Sequence, residues 1–258
     1  MADQISSVEK ISQIQKNYQA ATVEMLPDFI NFYSQDTRNG VISLVTKAKK
    51  QLEMLEKEKE RLKVMRTYEN KYTEYQYICG IDEVGRGPLA GPVVAGAVIL
   101  PKDCAILYVN DSKKLTAAKR EELYLEIMDK AIATGIGYAT PERIDEINIL
   151  QATYEAMQEA VKNLKVIPDI LLNDAVTIPK ISIPQVPIIK GDAKSVSIAA
   201  ASIIAKVTRD RLMEEYDSIM PDYGFASNKG YGSQLHIEML QKIGPSPIHR
   251  KTFIKNFM

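Results

Sequence analysis

The chain has 258 residues, 45% hydrophobic and 26% charged, and its 33 basic and 33 acidic side chains cancel to a formal net charge of zero. That length can bury a sizeable core and argues against disorder; it fits one large domain or one domain with an appendage. Neutrality excludes attraction of a polyanion by the whole-protein field, so a nucleic-acid partner would need local basic patches.

The N-terminus lacks the basic and apolar regions of a signal peptide. The longest apolar runs, 93–100 and 198–205, fall far short of the roughly 20 residues a membrane span needs. A soluble cytoplasmic protein without membrane attachment is expected. Cys79 and Cys104 have no paired spacing, and only His236 and His249 could add nitrogen ligands. Neither a disulfide framework nor a zinc site is supported, and both cysteines read as small core residues.

Residues 1–72 read as a separate helical domain. Ser6 and Glu9 have capping-box spacing, Pro27 can open a short second helix, and Asn39-Gly40 is expected to break the chain before a long third helix over 41–68. That helix carries the run EMLEKEKERLK from Glu53 to Lys63. Mixed charges on one helix read first as a solvated face. From Arg38 to Lys71, however, ten basic residues face five acidic ones. That excess keeps open an accessory surface for a nucleic-acid backbone or a partner.

Residues 73–258 alternate short strands and helices, the pattern of an α/β layered domain. Strands are expected at 77–81, 93–100, 135–139, 170–172 and 187–189, with an amphipathic helix over 117–133. Thr140 can cap a helix opened by Pro141, and Asn148 with Gln151 suits the start of another, whose face Ile149, Thr153, Ala156, Met157, Ala160, Val161 and Leu164 would be buried. A long helix over 197–220 is ended by Pro221.

The acids fall where these strands end. Asp82 and Glu83 follow the first, Asp174 the fourth and Asp192 the fifth. Each alone could be an ordinary strand-end residue. Gathered at one sheet edge, they would repel one another unless a cation neutralised them, and an all-oxygen donor set selects Mg²⁺ or Mn²⁺ over zinc. Beside the first pair runs Gly85-Arg86-Gly87, either a plain turn or a clamp that offers N–H groups and a guanidinium to a phosphate or sugar hydroxyl. The P-loop spacing is absent.

The stretch IDEVGRGPLAGPV from Ile81 to Val93 resembles the signature of bacterial ribonuclease HII. Asp111-Ser112-Lys113-Lys114-Leu115, the block IAAASIIAKVTRD from Ile198 to Asp210, and Lys229-Gly230-Tyr231 resemble its later motifs in order, over about 77–254. Type HIII enzymes carry an arginine-free turn, so Gly85-Arg86-Gly87 argues against them. The resemblance implies a ribonuclease H-like mixed sheet flanked by helices, with the small all-helical domain ahead of it. It further implies that Asp82, Glu83, Asp174 and Asp192 hold two Mg²⁺ or Mn²⁺ ions and are the catalytic residues. Asp174 departs from the commoner pattern in being followed by Ala175 instead of glycine, and Asp210, beside Arg209, remains an alternative to Asp192, with a structural ion pair as its other reading.

The implied substrates are RNA–DNA hybrids and DNA containing ribonucleotides, cut by a two-metal reaction. The implied cut lies 5′ of the ribonucleotide and leaves 3′-hydroxyl and 5′-phosphate ends, a role in ribonucleotide removal from DNA. Gly85, Arg86 and Gly87 would grip the phosphate and 2′-hydroxyl, Tyr231 would pack on the next deoxyribose, and Lys113, Lys114, Lys206 and Lys229 would meet the backbone. His236 and His249 read as structural or phosphate-facing, and a monomer is expected. Two other readings compete: a nuclease of the same fold acting on DNA junctions, which leaves the Arg86 loop unexplained, and a binding module whose acids are structural.

Overall fold

The computed structural model describes residues 9–257; the chain divides into two compact units between Lys63 and Val64. Among the described residues no helix is long and apolar enough to cross a membrane.

The first unit comprises helices α1 (Ile11–Ala20), α2 (Leu26–Tyr33) and α3 (Asn39–Met65), the last running just past the boundary. Ile14, Leu26, Phe29, Tyr33, Val41, Leu44, Val45 and Ala48 form its core. Pro27 lies in the first turn of α2 as expected. The capping-box expectation involves Ser6, outside the described residues; Glu9 accepts a 2.6 Å hydrogen bond from the Tyr33 hydroxyl. Asn39-Gly40 does not break the chain but begins α3. The Arg38 carbonyl accepts from the N–H groups of Val41 and Ile42, and a Cβ on Gly40 would lie 3.1 Å from Ile11, so glycine here permits close helix packing. The charged run pairs within itself: Lys57 with Glu53, Lys59 with Glu56, Arg61 with Glu58 and Lys63 with Glu60, at 2.5–2.7 Å.

The second unit opens with the short helix α4 (Thr67–Lys71). Its sheet contains β1 (Ile78–Val84), β2 (Val93–Ile99), β3 (Ala133–Ala139), β4 (Ile170–Asp174) and β5 (Gln185–Ile188), in the order β3-β2-β1-β4-β5. The pairs β1–β2 and β2–β3 are antiparallel, while β1–β4 and β4–β5 are parallel. This is the mixed sheet expected. Its helices are α5 (Ala117–Lys130), α6 (Pro141–Lys162), α7 (Val196–Ile219), α8 (Phe225–Asn228), α9 (Gln234–Ile243) and α10 (Lys251–Ile254). Helix α5 stops short of residue 133 because the chain enters the sheet early, Ile132 donating its N–H to the Ile99 carbonyl.

Strand alternation gives the sheet two buried faces. On one, Cys79, Ile81, Ala95 and Leu171 pack with Ala152, Ala156, Met157 and Ala160 of α6. Thr140 caps α6, accepting from Arg143 N–H. Asn148, at φ 69°, interrupts the helix and its side chain caps the restart by accepting from Leu150 and Gln151. On the other face Ile78, Ile170, Leu172 and Ile188 pack with Ile198 of α7. Helix α7 lies very close to β1 because Gly80 has no side chain: a Cβ there would fall 2.0 Å from the Ser197 carbonyl carbon.

Candidate active site

The parallel pairing of β1 with β4 sets the acids side by side. Ile81 is in register with Asn173, so the next positions, Asp82 and Asp174, are neighbours across the sheet and share the α7 face. Asp82 and Glu83 lie inside β1 and do not follow it: the strand continues to Val84 because both residues keep antiparallel partners in β2, Gly96 and Ala95. Asp174 is the last residue of β4, and its Oδ1 accepts a 2.7 Å hydrogen bond from Gly191 N–H. That bond draws the 3-10 turn Gly191–Ala193, which carries Asp192, toward the edge.

The cluster is electrostatically strained. Burial, then the charge of Glu83, pushes the Asp82 carboxyl well above the usual carboxylate range; Asp174 adds to the rise, and the Ser202 hydroxyl opposes it. Glu83 is raised by burial, with Arg86 opposing and Asp174 reinforcing. Asp192 is raised by burial, then by Asp111 and Asp174, against Lys113. Four carboxylates and Asp111 thus interact across one strand edge. Charges this close and this buried suit a cation.

The donors are carboxylate oxygens, the chemistry of Mg²⁺ or Mn²⁺. Among the described residues no three acidic, imidazole or thiol groups are drawn together tightly enough to cage an ion alone. Mg²⁺ is commonly held by one or two carboxylates plus water and substrate phosphate, so an open carboxylate edge fits it better than a closed cage would.

Beside the acids lies a cleft of about 550 Å³ lined by Glu83, Val84, Gly85, Arg86, Gly87, Lys113, Ile149, Tyr231 and Phe253. Tyr231 is 46% exposed, and a Cβ on Gly87 would sit 3.7 Å from its ring. The Arg86 guanidinium approaches Glu83 at 3.2 Å. Of the remaining candidates, Lys114 is exposed and does not line this cleft. Lys206 pairs with Asp210 at 2.7 Å, and Lys229 with Glu214 at 2.6 Å. Asp210, also 3.7 Å from Arg120, sits in an ion-pair network and not among the four acids. Arg209 is not its partner.

Sequence reasoning missed Ser112 and Ser202, whose hydroxyls meet at 3.0 Å beneath Asp82, although both lie inside motifs already singled out. The histidines are buried. His249 Nδ1 accepts from Ser246 N–H at 2.9 Å, which leaves the proton on Nε2 to donate to His236 Nε2 at 2.8 Å. His236 Nδ1–H then donates to the Tyr231 carbonyl at 2.8 Å. The pair is structural and ends on the main chain of the cleft tyrosine.

The profile of the family described as Ribonuclease HII matches residues 79–256, and that of the Ribonuclease HII N-terminal domain matches residues 10–73. The chain is 63% identical to a Ribonuclease HII of Lachnoclostridium phytofermentans over 96% of its own length and 97% of the relative's. With a Ribonuclease HII of Clostridioides difficile it shares 51% identity, over 97% and 99%. The solved ribonuclease H2 of Pyrococcus horikoshii OT3 superposes with a TM-score of 0.57 at 31% identity, covering 68% of this chain and 93% of that one. The chain therefore belongs to the ribonuclease HII family, endonucleolytic hydrolases of the ribonuclease H class that act on RNA–DNA hybrids.

Proposed function

We propose that this chain cuts the RNA strand of RNA–DNA hybrids and incises duplex DNA on the 5′ side of an embedded ribonucleotide, leaving 3′-hydroxyl and 5′-phosphate ends. Asp82, Glu83, Asp174 and Asp192 would hold two divalent ions, Mg²⁺ or Mn²⁺. Bound there, the ions supply a lowered pKa for an attacking water and stabilisation of charge on the phosphate and leaving oxygens. The chain's own residues do the rest. Gly85, Arg86 and Gly87 bind the phosphate and 2′-hydroxyl, Lys113 adds positive charge, and Tyr231 offers a flat apolar face to the next sugar. Lys114 serves as a more distant backbone contact.

The observation that carries this reading is that the Arg86 loop, Lys113, Tyr231 and Glu83 line one cleft at the acid-bearing strand edge. The helical unit ahead of Val64 is an accessory substrate-binding domain, and the enzyme works as a cytoplasmic monomer in removing ribonucleotides from DNA. The test is a labelled duplex with one ribonucleotide, beside the matching all-DNA duplex and a long hybrid. Cleavage 5′ of the single ribonucleotide, with none of the all-DNA duplex, is expected; losing a hydrogen bond to the 2′-hydroxyl makes discrimination of about 10⁴ reasonable. An enzyme that cuts long hybrids and ignores the single ribonucleotide contradicts the reading.

A further inference from the structure

Two arginines that the chemistry above does not use are completely buried: Arg209 on α7 and Arg250 just before α10, each 0% exposed. Among the described residues neither has a carboxylate partner. Every hydrogen bond they make goes to a main-chain carbonyl. Arg250 donates to Gly85 at 2.5 Å, to Arg86 at 2.9 Å, and twice to Gly91 at 2.7 and 2.9 Å. Arg209 donates to Ala90 at 3.1 Å, to Pro92 at 2.9 Å and to Lys229 at 2.8 Å. Five of these six carbonyls belong to residues 85–92, the loop that borders the cleft.

We propose that Arg250 and Arg209 are positioning residues: by drawing the loop's carbonyls inward, they turn the N–H groups of Arg86 and Gly87 outward into the cleft. In a planar trans peptide the C=O of one residue and the N–H of the next point in opposite directions. Arg250 holds the Gly85 and Arg86 carbonyls, so the following N–H groups, on Arg86 and Gly87, face away from it. Neither N–H has an acceptor among the described residues. Two successive N–H groups aimed the same way form a concavity suited to an oxyanion or a hydroxyl oxygen. The inference rests on reading this cleft as the ribonucleotide site, and it assigns that site's geometry to residues outside it.

Other contacts make the brace rigid. Gly85 has φ +89°, and a Cβ there would fall 2.3 Å from Arg209 Nε, so the guanidinium fills the space a side chain would need. The Leu89 N–H and Ala90 N–H reach the Gly230 carbonyl, Gly91 N–H reaches Ile248, and Arg250 N–H reaches Leu89. Chain segments 248–250 and 229–231 therefore flank the loop. Burying guanidinium without a carboxylate is costly: desolvation brings Arg250 down to about 9, with the charge of Arg209 contributing, and Arg209 down to about 10. Lysine could not replace either group, since one ammonium cannot reproduce a planar fork that spans several carbonyls.

The test pairs Arg250→Lys with Leu123→Ala, a core truncation in α5 that lowers stability without touching the loop. With both proteins folded at the assay temperature, Arg250→Lys is expected to lose about 10²-fold in kcat/KM on the single-ribonucleotide duplex, carried mainly by kcat, because a displacement of about 1 Å is enough for such a loss. Leu123→Ala should keep wild-type kinetics. Equal kinetics for Arg250→Lys and wild type, or equal losses in both variants, overturn the proposal. Should Arg250→Lys fail to fold, amide hydrogen exchange on the wild type decides: Arg86 and Gly87 should exchange as exposed amides, and strong protection of either overturns the proposal. If wild type ignores the single ribonucleotide, the functional reading falls, while the long hybrid and the exchange data still report on the brace.

Discussion

Helix α3 and the acid-bearing edge of the sheet handle charge in opposite ways. On α3 each acid from Glu53 to Glu60 meets a base three or four residues along, and most of these side chains are exposed; the cost of each charge is small and is met locally. At the strand edge the buried Asp82 and the partly buried Glu83 and Asp192 have too little positive charge near them, and all three carboxyls are raised from their ordinary values. The first arrangement is satisfied by the fold alone. The second leaves a deficit that only a ligand can fill, and for that reason it marks function.

Breaking the strained edge should have the largest effect. Asp82→Asn or Asp174→Asn keeps the shape but removes charge, so cleavage should fall at least about 10³-fold in Mg²⁺ while the melting temperature holds or rises. Activity close to wild type in either variant would remove that residue from the metal site. Next comes removal of the first unit. The cut is best placed after Lys63, because the Glu69 carboxylate accepts from Ser197 N–H and from the Ser195 and Ser197 hydroxyls at the start of α7 and belongs to the second unit. Binding should weaken by about tenfold and its salt dependence should flatten, with the cut position unchanged; equal binding at every salt concentration would assign the unit another role.

A smaller effect is expected at the buried histidines. Burial, then the charge of His236, brings His249 down to about 4, and burial lowers His236 too. Between the ordinary value near 6.5 and about 4, the unfolded chain binds protons that the folded one refuses, so stability falls as pH drops through that window. Melting curves of wild type and His249→Gln should converge from pH 7 to pH 4, and curves that stay parallel would deny the linkage. The smallest effect sharpens the comparison from the other side. Lys57→Ala on α3 should leave the melting temperature within about 1 °C of wild type, since an exposed pair contributes little; a large drop would mean that α3 is not merely self-satisfied.

Much of this was legible in sequence because it is written locally. The Thr140 cap, the Asn148 restart and the buried face of α6 follow from spacing alone, and the acids announced themselves by standing at or beyond apolar runs. What could not be read was set by distant partners. Arg209 and Arg250 look like ordinary surface bases until the fold brings carbonyls from over 110 residues away onto them. A charged residue set in the long apolar helix was the one available hint for Arg209. Ser112 and Ser202, 90 residues apart, likewise meet only because the 3-10 turn that begins at Ser112 packs on α7. The break expected at Asn39-Gly40 failed because a glycine needed for helix contact carries the same local signature as a turn.

The central claim, that the strand-edge carboxylates form a site for divalent cations, is tested most directly by titrating Mn²⁺ calorimetrically into wild type and Asp174→Asn without substrate. The account predicts saturable binding to wild type, accompanied by a rise in melting temperature with ion concentration, and both effects lost or greatly weakened in Asp174→Asn. Identical binding and identical stabilisation in the two proteins would contradict it.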